Sequence, residues 1–192
     1  MKDRYNYPGQ ELILFDKVIN WKKYFSSYIK PFIGNNVLEA GSGIGSNTPL
    51  LNDGTAHKWT LLEPDEGMSK ILQSKKETQS GFSNCAVFNG TIFELNPSEK
   101  YDTIIYIDVL EHIEDDRKEM LKATELLHPK GHLVILVPAY NFVFSPFDKA
   151  VGHFRRYTSK TLKAVIPDTL RLVQLDYMDS LGFLLRSLTN YS

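Results

Sequence analysis

The chain has little with which to staple or anchor itself. Its 192 residues include one cysteine, Cys85, so no internal disulfide can form. Cys85 sits in an apolar run and reads as a small core residue. Long hydrophobic runs are missing. The longest strongly apolar one, residues 133–139, falls far short of the roughly 20 residues needed to cross a bilayer. The opening residues, Met-Lys-Asp-Arg-Tyr-Asn-Tyr, lack the apolar segment of a secretory signal. Neither sign of charge is in excess. The 22 Lys and Arg face 23 Asp and Glu, a net charge of −1 that gives no bulk electrostatic case for nucleic acid. Internal repeats, low-complexity tracts and Gly/Ser linkers are lacking too. What is left is an ordinary globular composition, 42% hydrophobic and 23% charged. The length suits one domain, residues 1–192, and a cytoplasmic location is the expectation.

Apolar periodicity divides that domain into a helical cap, residues 1–33, and an α/β core, residues 34–192. Residues 9–33 carry two helical stripes, Leu12, Phe15 and Ile19, then Phe25, Tyr28, Ile29 and Phe32, before a stop at Pro31 and Gly34. Strands are expected at 36–40, 58–63, 86–89, 101–108, 132–137 and 170–177, with helices at 46–51 and 65–76. A further helix is capped by Asp116 with Glu119, faces the core through Met120, Leu121, Thr124 and Leu127, and ends at Pro129 and Gly131. A long loop, residues 138–157, leads to a helix that Thr158 or Ser159 caps. Strands alternating with helices imply a mostly parallel sheet covered on both faces. Ligands then bind beyond the carboxyl ends of the strands, where Glu39, Glu63, Asn89, Asp108 and the loop after Val137 collect.

Residues 37–45, Val-Leu-Glu-Ala-Gly-Ser-Gly-Ile-Gly, are the most informative stretch. Alternate glycines permit a tight turn and close approach to a ligand. A dinucleotide fingerprint needs a third glycine three positions after the second. That position is Ser46, and Gly45 sits one residue early. Glu39, two residues before Gly41, would repel a pyrophosphate and attract an ammonium group. S-adenosylmethionine (SAM) has an amino-acid end, a sulfonium and an adenosine, and no phosphate. Glu63 ends the second strand, where a carboxylate can accept two hydrogen bonds from a ribose diol.

Val37 to Gly45, Leu61-Leu62-Glu63-Pro64 and Tyr101 to Asp108 resemble three motifs of the class I SAM-dependent methyltransferases, and the resemblance runs over nearly the whole chain. It extends to a group of small bacterial enzymes through Pro8-Gly9-Gln10-Glu11, Asn20 to Tyr24, Asp108 to Ile113, Ser145 to Asp148 and Gly152 to Thr158. The resemblance implies a three-layer Rossmann-like α/β fold in which Glu39, Gly41, Ser42, Gly43 and Gly45 hold the methionine end of SAM. Glu63 and Pro64 would lie at the ribose, and Asp108 and Val109 beside the methionine end or the transferring methyl. Many relatives bind adenine with an aspartate after the third strand; here the stretch is Asn89-Gly90-Thr91-Ile92-Phe93, so Gly90, Thr91 and Ile92 would substitute. The family's closing seventh strand is not found before Ser192. The leucines at 181, 184, 185 and 188, or an open sheet edge, could then join two copies.

If the chain turns helical after Asp108, spacing puts Asp108, Glu111 and His112 on one face. Three roles are open to them: ligands of a divalent ion, a base at His112, or a structural network. The run resembles one that binds metal in some ubiquinone-pathway and small-RNA methyltransferases, where a later histidine joins; His153 is the corresponding candidate. No metal is assigned. His112, His153 and Tyr157 are the acid/base candidates, and Tyr140, Arg155 and Arg156 the substrate contacts. Residues 1–33 read either as a lid, with Trp21 and the tyrosines at 5, 7, 24 and 28 facing the acceptor, or as a packed helical cap without ligand contact. The expected function is transfer of a methyl group from SAM to a small-molecule acceptor, such as a hydroxyl of a sugar-like or lipid-linked metabolite. A non-catalytic SAM-binding scaffold is the alternative. A nicotinamide oxidoreductase is a weaker one, because Glu39 and the glycine spacing oppose it.

Overall fold

A computed structural model describes residues 18–178. Five apolar segments form one sheet: β1 (Asn36–Ala40), β2 (Lys58–Glu63), β3 (Cys85–Asn89), β4 (Tyr101–Ile107) and β5 (Leu127–Leu136). Their order is β3-β2-β1-β4-β5, and every pair is parallel. Strands buried on both faces read as continuous apolar runs, which is why β1, β2 and β4 lack polar alternation. In β4, Ile104 and Tyr106 point to one core with Met120, Ala123 and Leu126, while Ile105 and Ile107 point to another with Phe25, Trp59 and Leu72. The chain winds outward from β1 to β3, then returns to lay β4 against the free side of β1. The switch point therefore opens between β1 and β4, and the glycine loop and Asp108 emerge on its two sides.

The helices are α1 (Ile19–Ile29), α2 (Thr48–Leu51), α3 (Glu66–Thr78), α4 (Asp116–Leu126), α5 (Pro146–Ala150) and α6 (Ser159–Val165). Helix α1 packs Phe25 and Ile29 against Leu51 and Trp59, so the cap is part of one face of the sandwich. Its earlier stripe, Leu12 and Phe15, and the leucines at 181–188 lie outside the described residues. Tyr24 and Tyr28 are exposed and meet each other, hydroxyl to hydroxyl at 3.3 Å.

Four expectations are corrected. Asp115, not Asp116, caps α4, because its side chain accepts from Lys118 N. Leu121 is exposed, since the buried stripe of α4 is Met120, Ala123 and Leu126. Helix α4 runs directly into β5: Pro129 and Gly131 make an irregularity within that strand, with Lys130 at φ 71°, and do not end the helix. A Cβ at Gly131 would lie 3.0–3.1 Å from three backbone carbonyls, so only glycine lets the strands close there. The fourth correction concerns residues 170–177, which form no strand: Leu172 and Val173 are both exposed, and nothing among the described residues pairs with the outer edge of β5. Strand-favouring side chains need a paired edge to form a strand. No helix among the described residues is long and apolar enough to cross a membrane.

Candidate functional site

The glycine loop is built to stay open at the end of β1. Gly41 has φ +62°, and a Cβ there would sit 2.6 and 2.7 Å from the two methyls of Val109. This close approach couples the loop to the residue after Asp108. Gly43 N donates to Glu63 Oε2 at 2.8 Å, and Asp65 N donates to Oε1 at 2.9 Å. The carboxylate at the end of β2 thus clamps both flanking loops and keeps a lone pair on each oxygen for a further donor. Burial pushes its pKa up to about 7 against the pull of those two amides. Ser42 N donates to Leu62 O at 3.1 Å, and Pro64 O accepts from Asn89 Nδ2 at 3.2 Å. The loop is further held by Lys75 Nζ on Ile44 O at 2.6 Å.

Glu39 is placed differently from Glu63. Its Oε2 accepts from Trp59 Nε1 at 2.8 Å and from Thr48 Oγ1 at 3.0 Å, inside the core. It braces the first residue of α2 to β2, and burial pushes its pKa up to about 7. Past β3, Gly90 N donates to Glu63 O at 3.1 Å, and Thr91 caps a short turn, its N–H reaching Glu94 Oε2 at 2.8 Å. Ile92 belongs to the core, whereas Phe93 is exposed.

On the other side of the switch point, Asp108 has φ +53° and donates its N–H to Leu136 O at 2.9 Å. Its side chain is open to solvent through a cavity yet enclosed by neighbouring atoms, and this burial raises the carboxyl to about 6. The chain then makes one 3₁₀ turn, Leu110–His112. Glu111, His112 and His153 bring one ligand atom each within 4.8 Å of one another, a spacing that can hold a divalent ion. Glu111 is fully buried, and neither carboxylate oxygen receives a hydrogen bond; His153 Nε2 stands 3.9 Å away. Burial, together with the charge of Asp108, pushes the Glu111 pKa well above the usual range. Burial, and then His153, lower His112 to about 4.

The segment after β5 is zipped onto this turn. Phe154 N donates to Glu111 O at 2.8 Å, and Tyr157 N to Pro138 O at 2.9 Å. Asp148 on α5 is fully buried; its Oδ1 takes His153 Nδ1 at 3.0 Å, Arg156 Nε at 2.8 Å and Arg156 Nη2 at 2.6 Å. Burial alone would raise its pKa, but donors from Arg156 and Ser145 override that and hold it at about 2. Arg155 pairs with Asp116 at 2.5 Å and reaches Glu114 O, so it turns away from the crevice. Tyr157 donates its hydroxyl to the same Asp116 at 2.8 Å, and burial raises its pKa far above the useful range for a base.

A cavity of about 370 Å³ lies at the ends of β4 and β5. Asp108, Trp21, Tyr140, Arg156, Tyr157 and Tyr177 are among its walls; His112 and His153 are not. The structure thus brings Tyr140, Arg156, Tyr157 and Asp108 together at one cavity and sets the histidines behind it. The sequence reading misses Tyr177 and Trp59, and names Asp148 only as the end of the Ser145 to Asp148 stretch. The Ser145-Pro-Phe-Asp148 spacing, a capping box, is the signal that marks Asp148.

Similarity to known proteins agrees with this geometry. In fold the chain is similar to the CcbJ methyltransferase of Streptomyces caelestis, at 20% identity and a TM-score of 0.56 over 64% of this chain and 50% of that one. It is similar to the YcgJ protein of Bacillus subtilis at 17% identity, TM-score 0.63, over 76% and 66% of the two chains. For the magnesium protoporphyrin IX methyltransferase ChlM of Synechocystis, whose structure holds bound SAH, the figures are 19%, 0.59, 80% and 71%. The chain therefore spans half of CcbJ and about two-thirds of YcgJ. No curated protein matches. A family model described as a methyltransferase domain matches residues 14–173, and with most of its length so covered the chain belongs to the methyltransferase domain family.

Proposed function

We propose that the protein is a SAM-dependent methyltransferase that acts, in the cytoplasm, on a small-molecule acceptor, with a hydroxyl of a sugar-like or lipid-linked metabolite as the acceptor class. The observation that carries this reading is the Glu63 clamp: a carboxylate at the end of β2 whose oxygens each hold one loop amide and keep capacity for a ribose diol. When bound, SAM supplies an activated methyl on a sulfonium that leaves as a neutral thioether. The chain's own work is positional. The glycine loop turns around the methionine end, Val109 fixes its distance from β4, and the cavity beside Asp108 seats the acceptor on the far side of the switch point. Asp108 borders that cavity and can take a proton from an acceptor there, while His112 and His153, the acid/base candidates read from the sequence, are outside its lining residues.

Calorimetric titration with SAM and with S-adenosylhomocysteine tests this. Micromolar binding that falls at least ~tenfold in Glu63→Ala supports it, the loss expected for two charge-assisted hydrogen bonds. If neither ligand binds, the reading fails; binding without turnover on any acceptor favours the scaffold alternative. Glu111 supports a second reading, a divalent ion held with His112 and His153, because its buried carboxylate lacks a donor. Uptake of Mn²⁺ by wild type but not by Glu111→Gln is the result expected from it.

A further inference from the structure

The cavity beside Asp108 has charge that its walls do not balance. Arg156 is spent on Asp148 through two nitrogens and on Ala139 O at 3.4 Å. Arg155 is turned to Asp116. Two carboxylates remain, Asp108 and Asp176. Among the described residues, nothing donates to the Asp108 side chain, and Asp176 accepts only from the neutral amide of Gln174, at 2.5 Å. The surrounding walls are aromatic: Trp21, Tyr140, Tyr157 and Tyr177.

These walls are built rather than incidental. Tyr140 has φ 62°, a backbone conformation that is strained for a bulky residue. It is held by its own N–H on Tyr157 O at 2.7 Å, and its ring stacks on Tyr177 at 5.0 Å with 6° between planes. Tyr177 is fixed in turn because its hydroxyl accepts Ser159 N at 2.8 Å. Aromatic faces with carboxylates between them are what a desolvated ammonium group needs, since the ring quadrupole and the anions attract the same charge. An anionic ligand would meet two carboxylates and, among the described residues, no free cation.

We propose that the acceptor carries a protonated amine, seated between the aromatic walls with its charge toward Asp108 and Asp176. Calling the occupant an acceptor rests on the methyltransferase reading; the cavity's preference for a cation does not. The same amine can be a handle on an amino sugar whose hydroxyl is methylated, or, once it has given its proton to a base such as Asp108 and freed its lone pair, the atom that receives the methyl as the sulfonium leaves as a thioether.

The test compares ligands of one shape and three charges: glucosamine, N-acetylglucosamine and glucuronate, then benzylamine, benzyl alcohol and benzoate. Trp21 in the cavity wall reports binding by fluorescence, with Trp21→Phe as the control, because Trp59 is fully buried. At least one amine is expected to bind about tenfold more tightly than its neutral and acidic partners, with the preference shrinking in salt. Asp108→Asn, similar in shape, should abolish that preference, the amine losing at least ~tenfold more affinity than its neutral partner. Equal affinities within both series, no binding by either amine, or no effect of Asp108→Asn overturns the proposal. So does loss of amine binding when S-adenosylhomocysteine saturates the protein, which would assign Asp108 to the cofactor's own ammonium. That last outcome would leave the methyltransferase reading standing, whereas failure of SAM to bind would sink that reading and leave the amine titration readable.

Discussion

Replacing Glu39 with glutamine should make the protein more stable at alkaline pH. The carboxyl is buried in the core, and its pKa rises from the usual 4.5 to about 7. Between those values the folded chain holds a proton that the unfolded chain has released, so stability falls as pH rises through that window. At about 1.4 kcal/mol per unit, the full penalty is at most ~3 kcal/mol, complete above pH ~7 and absent below ~4. Glutamine carries no charge at any pH, and its amide oxygen can accept from the same two donors, Trp59 Nε1 and Thr48 Oγ1. Glu63 also has a raised pKa but is common to both proteins, so it cancels in the difference. Urea unfolding at several pH values from 5 to 8 should show Glu39→Gln within ~1 kcal/mol of wild type at pH 5 and about 1–3 kcal/mol more stable at pH 8. Glu39→Ala removes the acceptor as well, leaves a buried indole N–H unpaired and should be destabilised by about 1–3 kcal/mol at both ends. Parallel pH curves for wild type and Glu39→Gln, or a less stable glutamine variant at pH 8, would refute the argument and show that the carboxylate is paid back by a partner in the fold.

Other residues give shorter tests. SAM affinity should rise with pH until Glu63 is ionised near pH 7 and then level off, and Glu63→Gln should flatten the profile; calorimetry from pH 5.5 to 8.5 decides it, and a flat wild-type curve rejects the ribose role. Gly41→Ala should lose about 1–3 kcal/mol, because the new Cβ would press on Val109 at a positive φ, and Val109→Ala should restore part of it in the double mutant. Full additivity of the two changes would deny the contact. Tyr157→Phe should cost about 1–2 kcal/mol in urea unfolding, for the lost hydrogen bond to Asp116, and leave SAM affinity unchanged.

The elements most legible in the sequence are those where local pattern and global burial agree. Strands β1 and β2 are read to the residue, because each is an apolar run ended by an acid and a turn. Thr158 as the cap of α6 is equally readable from its own chemistry. Errors occur where pairing decides. Residues 170–177 have strand-like side chains but no paired edge, and Pro129 to Gly131 look like a helix stop but are accommodated inside β5. The direction of a side chain is less legible still. Glu39 and Glu63 both end strands as acids, yet one points into the core at Trp59 and the other across to Gly43.

The arginines show why chemistry cannot be read from residue type alone. In sequence, Arg155 and Arg156 beside many aromatics read as contacts to the substrate. In the fold each has a buried or half-buried carboxylate within ion-pair distance, Asp116 for one and Asp148 for the other. Both carboxylates sit on elements that the sequence separates from the arginines by a turn or a strand, so tertiary structure decides which acid each arginine meets. Once these charges are matched, the unbalanced groups among the described residues of the cavity are the acids, Asp108 and Asp176. A buried arginine with a bidentate partner is a strut. The carboxylate without a cation at the cavity wall, Asp108, is where the chain has left an interaction for something else to complete.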